Sequence, residues 1–253
     1  MSYPNYPVDF DSPSILTAAL RLQNQKLPPA PSWLIFCPQV SLLKHAVKRW
    51  RGKLVAGFFG ETYLLAKSKN RVAVAGKFGV GAPVMAVLVE ELAFWGATQF
   101  VLLGVAGGLQ PALQAGDLVM ANTAVRDEGT SFHYLPPAKT VAASVDLTSK
   151  IETAVHTTEL TCQTGATWTT DAPYRETAVA VQHYKNMGVQ TVEMEAAALF
   201  AVAQYCQVQA TALLAVSDSL AYGVWQPAPD PRLPIANLSQ ALDAVVKMAM
   251  EAS

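Results

Sequence analysis

Charge is scarce in this chain. Asp, Glu, Lys and Arg make up 15% of its 253 residues, against about 25% in an average globular protein. The two signs nearly cancel, 18 basic against 19 acidic, for a net charge of -1. The electrostatic footprint of a nucleic-acid binder is therefore missing. Cysteine is scarce as well. Cys37, Cys162 and Cys206 are odd in number, far apart, and form neither a CxxC nor a metal-ligand spacing. A reducing cytoplasm fits that usage best, and neither a metal nor an organic cofactor is expected. No uninterrupted apolar run reaches the roughly 18 residues of a membrane span. The richest stretch, 196–216, is broken by Gln204, Gln207 and Gln209. A basic start followed by a long apolar run is also missing at the N-terminus, so no signal peptide and no membrane partner are expected.

What the chain has is apolar bulk, 51% of its residues. At this length a single α/β core is the sensible expectation. Such a composition fills a large core, buries surface against copies of the same chain, or does both. We expect a homo-oligomer, either a dimer or a hexamer built as a trimer of dimers. Residues 1–31 carry six prolines and read as an arm, with a short helix over residues 14–25. Residues 32–253 read as one domain.

Trp33–Cys37 is a continuous apolar run and reads as a buried first strand. A basic amphipathic helix follows over residues 42–50. Residues 53–59, 62–68 and 71–76 read as strands separated by turns. A helix is expected over 84–94, closed by Gly96, with strands over 100–105 and from Gly116. Residues 125–137 read as a functional loop. A helix over 145–160, a strand over 162–167, a loop over 168–176 and a helix over 177–185 come next. The strand at 211–216 and a closing helix over 238–250 complete the alternation. This pattern argues for an α/β fold: a single three-layer domain with a central mixed β-sheet flanked by helices.

The chemistry gathers around residues 191–200, Thr-Val-Glu-Met-Glu-Ala-Ala-Ala-Leu-Phe. Two carboxylates, Glu193 and Glu195, flank Met194 at the mouth of a helix that is apolar on nearly every side. A first-turn acid is favoured by the helix dipole, and that accounts for one of them. The helix itself must be buried, so an acid at its start needs a partner, a ligand or water. Gly79-Val80-Gly81-Ala82-Pro83 has the make-up of a tight turn against a helix N-terminus. Gly104 to Leu109 offers glycines past a strand, where backbone can approach a ligand closely. Asp218 leaves a buried strand at its carboxyl end, where open α/β sheets place ligands; by local sequence alone it is equally a turn cap.

Val192-Glu193-Met194-Glu195-Ala196 resembles the signature of the nucleoside phosphorylase superfamily. That superfamily includes uridine phosphorylase, hexameric purine nucleoside phosphorylase and the methylthioadenosine/S-adenosylhomocysteine nucleosidases. The Gly-x-Gly-x-Pro turn followed by Glu90-Glu91-Leu92, and the Val125–Pro137 segment, are similar to further motifs of the same family. The resemblance implies that Met194 packs on the sugar face and that Glu195 takes the ribose hydroxyls, with Glu193 beside them and His133 at the sugar end. It implies base contacts from Trp168, Thr169, Tyr174 and Arg175, and a proton from Asp218 to N7 of a purine. Gly79, Gly81, Ala106 and Gly107 would line the pocket for phosphate or water.

Cleavage of a nucleoside N-glycosidic bond puts positive charge on the ribose and negative charge on the base, which Glu195 and Asp218 are placed to meet. We expect purine-type phosphorolysis, with inorganic phosphate as co-substrate and no other cofactor. The family's phosphate-binding arginines have no counterpart at Pro38–Leu42, Phe58–Thr62 or Leu102–Gly107. Hydrolysis by water is therefore the alternative, although Gln39 is no base to activate it. A nucleoside-binding protein without turnover is the second alternative, opposed by the presence of both Glu195 and Asp218.

Overall fold

The computed structural model describes residues 12–251. The first elements are α1 (Ala18–Leu22), β1 (Trp33–Cys37), α2 (Val40–Trp50), β2 (Gly52–Val55), β3 (Glu61–Leu65), β4 (Val72–Gly76) and α3 (Ala82–Trp95). Next come β5 (Gln99–Gly108), β6 (Leu118–Asp127), β7 (Thr140–Ala142), α4 (Val145–His156), β8 (Cys162–Thr170) and α5 (Ala178–Asn186). The chain closes with β9 (Thr191–Glu193), α6 (Ala196–Tyr205), β10 (Gln209–Ser219), β11 (Gln226–Pro227) and α7 (Leu233–Glu251).

Strands β1 and β4 are buried at every position, as continuous apolar runs covered on both faces must be. β1 pairs in parallel with β4 on one side and β5 on the other. β5 in turn pairs in parallel with β10 and antiparallel with β9. β10 also meets β6, β6 meets β8, and β8 meets β9. The sheet thus curls back on itself: β5, β10, β6, β8 and β9 form a closed hydrogen-bonded ring, from which β1, β4, β3 and β2 extend as an open wing.

Alternate side chains sort the core into two layers. Trp33, Ile35 and Cys37 face α2, α4 and α7, whereas Leu34 and Phe36 face α3 and α6. The result is the three-layer mixed α/β architecture expected of the sequence. α6 is buried from Ala196 to Ala203, in keeping with its lack of a polar face.

The arm, as far as it is described, lies on its own domain. Arg21 pairs with the buried Glu91 at 2.8 Å and donates to the Gly57 carbonyl. The Trp95 indole donates to the Pro28 carbonyl. Residues before Ser12 lie outside the described part. Of the helix expected over residues 14–25, Ala18–Leu22 is helical, capped by Thr17.

Four strands are longer than their sequence suggests, β5 running on to Gly108. β6, β8 and β10 run on through polar residues to Asp127, Thr170 and Ser219. Pairing of Asp127 with Thr170 and of Ser219 with Gly108 carries the ladders past the apolar segments. Tertiary pairing here overrides weak local preference. Val125–Asp127 and Trp168–Thr170 are accordingly strand rather than loop.

Candidate active site

The start of α6 is built by Glu193. One of its carboxylate oxygens accepts the backbone N–H groups of Glu195 and Ala196, each at 2.7 Å. The other accepts the Thr169 hydroxyl at 2.5 Å, and that hydroxyl in turn accepts the Ala197 N–H. Glu193 thereby satisfies donors that a helix N-terminus leaves open. Glu193, expected at the ribose, and Thr169, expected at the base, both hold the helix start through these bonds. Removing the carboxylate strands those donors in the interior. Glu193→Ala is expected to lower the unfolding free energy by about 2–4 kcal/mol. A denaturant melt showing a loss below about 0.5 kcal/mol would deny the capping role.

Glu195 follows at the N-cap position of α6, with no capping bond of its own. Its Oε1 instead accepts the Gly81 N–H at 2.6 Å. Gly81 is the N-cap of α3 and Gly79 lies two residues before it; both have positive φ, 98° and 89°. That region favours glycine. The turn therefore aims an N–H at the carboxylate and fixes its orientation.

Burial pushes the pKa of both Glu193 and Glu195 up, and the charge of Glu195 adds to the effect on Glu193. The three donors on Glu193, two backbone N–H groups and the Thr169 hydroxyl, favour its charged form against that burial.

Asp218 lies near the end of β10. Its Oδ1 accepts the Ser217 hydroxyl at 2.6 Å, and its Oδ2 accepts the Trp225 indole N–H at 2.9 Å. Strand register places it relative to the α6 mouth: Asp218 pairs with Gly107 on β5, Gly107 with Val192 on β9, and Val192 with Trp168 on β8. Two strand spacings of about 4.8 Å therefore separate Asp218 from the strand that carries Glu193. Gly107 is the floor between them. A side chain there would meet Leu220 at 3.0 Å and Val192 at 3.1 Å, and would sit 3.5 Å from Asp218 Oδ2.

A cleft of about 790 Å³ lined by His45, Glu159, Asp243 and Lys247 lies among α2, α4 and α7. It contains none of these groups. The candidate site is at the strand ends, where Glu195, Asp218 and the Gly107 floor lie on neighbouring elements, rather than in that cleft.

Residues 43–249 match the family described as the Phosphorylase superfamily. The chain belongs to this superfamily. Among its relatives is a guanosine phosphorylase of Halorubrum lacusprofundi, 31% identical over 57% of this chain and 60% of that protein. A uridine phosphorylase of Thermococcus kodakarensis is 31% identical over 54% of each chain. A DeoD-type purine nucleoside phosphorylase of Exiguobacterium sibiricum is 32% identical over 67% of this chain and 72% of that one. The chain thus spans little more than half the length of the first two. In fold it is similar to the crystal structure of uridine phosphorylase from Vibrio fischeri, with a TM-score of 0.74 and 24% identity over 89% of this chain and 92% of that one.

Within this superfamily member, the other expected site residues fall into two groups. Met194 sits half-buried between Glu193 and Glu195, and Ala106 and Gly107 end β5 beside Asp218. Trp168, expected to contact the base, is 2% exposed, packed on Tyr184, with its N–H donated to Asp127, because the extended β8 turns it inward. Tyr174 and Arg175 are exposed on the 3-10 turn Pro173–Arg175, and His133 is exposed at the end of the 3-10 turn Ser131–His133.

Arg126, the one guanidinium of the 125–137 segment, builds that segment. It donates to the Ser131 hydroxyl and to the Leu135 and Pro136 carbonyls, and it lies over the Phe132 ring. Glu90 takes the Tyr134 hydroxyl. The Glu90-Glu91 pair thus ties down the functional loop with one acid and the arm with the other. Near the Gly79–Gly81 turn, Lys77 is the cation that sequence places closest, and it pairs with Glu61 at 2.9 Å.

Sequence reasoning missed three groups. Ser217 and Trp225 hold Asp218, and the Asp218 charge adds to burial in raising the Glu176 pKa. A lone Trp in a Pro-rich loop was the available signal for the second.

Proposed function

We propose that the protein cleaves purine nucleosides by phosphorolysis. One observation carries the reading: a buried carboxylate clamped by a glycine-turn N–H stands two strands from an aspartate, with only Gly107 between. Ribose packs on Met194, with its hydroxyls donating to Glu195. The C1′–N9 bond breaks and its electron pair moves onto the base. Asp218, taking the base in place of the exposed Trp225 N–H, delivers a proton to N7. A phosphate oxygen bonds to C1′, giving ribose 1-phosphate and free base. The glycine turn and the N-terminus of the 14-residue α3 offer backbone donors to the phosphate, with Lys77 on the adjoining strand end. The named relatives, all phosphorylases, support phosphate over water as the acceptor of the sugar.

The test is consumption of inosine and guanosine with and without phosphate, with sugar phosphate assayed as product. We expect turnover that depends on phosphate, at least about tenfold above the phosphate-free rate. Equal rates would assign the reaction to water. Tight binding without turnover would assign a binding role alone.

A further inference from the structure

The hairpin that carries Trp225 is anchored at its start and exposed at its end. β10 and β11 pair through Asp218 with Pro227 and Ser219 with Gln226, and residues 220–225 join them. At the start, the Leu220 N–H donates to the Gly108 carbonyl at 2.9 Å, and Lys185 Nζ donates to the Ala221 carbonyl at 2.8 Å. Gly223 then takes a φ of 73° and closes a turn with its N–H on the Leu220 carbonyl. Tyr222, Val224 and Trp225 around it are each more than half exposed. The Trp225 ring is 66% exposed, yet its N–H is aimed at Asp218 Oδ2 at 2.9 Å. An aromatic N–H in open solvent thus occupies the oxygen that faces the base.

We propose that Trp225 is a built-in stand-in for the product base: its indole N–H takes the place on Asp218 Oδ2 of the N7–H of the departing purine, and so helps to displace it. The inference rests on the phosphorolysis reading above and deepens it with a step of product release.

The two groups are chemically alike. An indole N–H is donor-only and belongs to a five-membered aromatic ring. A purine that has left the sugar with a proton on N7 presents the same group. Asp218, having given up that proton, is a carboxylate and accepts from either N–H. Its other oxygen is not contested, because Oδ1 holds the Ser217 hydroxyl at 2.6 Å. While the indole donates to Oδ2, that oxygen cannot itself donate. An incoming nucleoside, whose N7 is a bare acceptor, therefore displaces the ring as Asp218 takes a proton from water. After cleavage the exchange runs in reverse: the indole returns to Oδ2 and the base departs with its N7 proton. Substrate and product both bind against the same bond, so removing the indole N–H strengthens both by one factor.

The experiment measures KM for guanosine and the competitive Ki of hypoxanthine, with phosphate present, in the wild type and in Trp225→Phe. The variant keeps an aromatic ring and loses the N–H, and a thermal melt checks its folding. Both constants should fall about 2- to 10-fold and by the same factor, the worth of one solvent-exposed hydrogen bond. Tryptophan emission gives an independent reading. Trp33, Trp50, Trp95 and Trp168 are at most 8% exposed, so Trp225 is the tryptophan within reach of solvent and ligand. Hypoxanthine should shift the wild-type emission, and the shift should vanish in the variant. Constants that stay unchanged or rise in the folded, active variant overturn the inference, as does a wild-type emission that saturating hypoxanthine leaves unmoved. A wild type that cleaves neither guanosine nor inosine overturns the underlying phosphorolysis reading instead.

Discussion

Glu195→Gln should cut kcat/KM for a purine nucleoside by about 10²- to 10³-fold and leave the fold intact. The amide can still accept the Gly81 N–H through its oxygen. What it loses is the charge that strengthens two ribose hydroxyl bonds, each worth about 1.5–3 kcal/mol when the acceptor is ionised, and that faces the cationic sugar as the bond breaks. A tenfold rate change corresponds to about 1.4 kcal/mol, so losing even one such bond and part of the other reaches the stated range.

Stability should move the other way. Burial raises the folded-state pKa of Glu195, so the folded protein holds this proton more tightly than the unfolded chain. Its contribution to stability is present at low pH and is lost as pH climbs through the raised value. Gln carries no such loss. The variant should gain on the wild type between pH 5 and pH 8 in paired thermal melts. In the wild type, the acid limb of kcat/KM should sit above the ordinary glutamate range. A fully active variant, or one that loses activity only by unfolding, would remove the sugar-binding role.

Asp218→Asn should slow guanosine and inosine cleavage by about 10²- to 10⁴-fold, the usual worth of a positioned proton donor. Asn can accept the Trp225 N–H through its oxygen and donate its amide N–H to the Ser217 hydroxyl, which has the Ala106 carbonyl as its own acceptor, so packing at the strand end is preserved. The informative control is 7-methylguanosine. Its imidazole ring is already cationic and needs no proton to depart, so its cleavage should fall less than about tenfold in the variant. Equal losses on guanosine and 7-methylguanosine would show that Asp218 positions the substrate without supplying a proton. No loss on either would take Asp218 out of the mechanism.

The layer order and the main helices and strands, more than their ends, are legible in the sequence because apolar runs such as Trp33–Cys37 and Ala196–Ala203 leave no ambiguity about burial. The α6 mouth is legible too, since two acids before an apolar helix demand an account. Sequence does not tell which of the two is free to work. Glu193 and Glu195 look alike on paper. Their division of labour depends on Thr169, 24 residues away, and Gly81, 114 residues away. Trp168 misleads for a related reason: it reads as a loop aromatic until β6 pairs along its strand and rotates it into the core. Glu176 is invisible in sequence because one charged residue among polar loop neighbours carries no pattern. Only the contrast in exposure along the loop marks it.

The closed circuit of strands divides the site into a part that resists change and a part that invites it. Gly107, Val192 and Asp218 belong to paired strands of that circuit, and their amide protons should exchange only when the whole domain opens. The segments bearing Glu176 and Trp225 hang outside it, so replacing them costs little cohesion. Under the proposed function, descendants of this chain would change their base there and keep the strand-borne sugar platform.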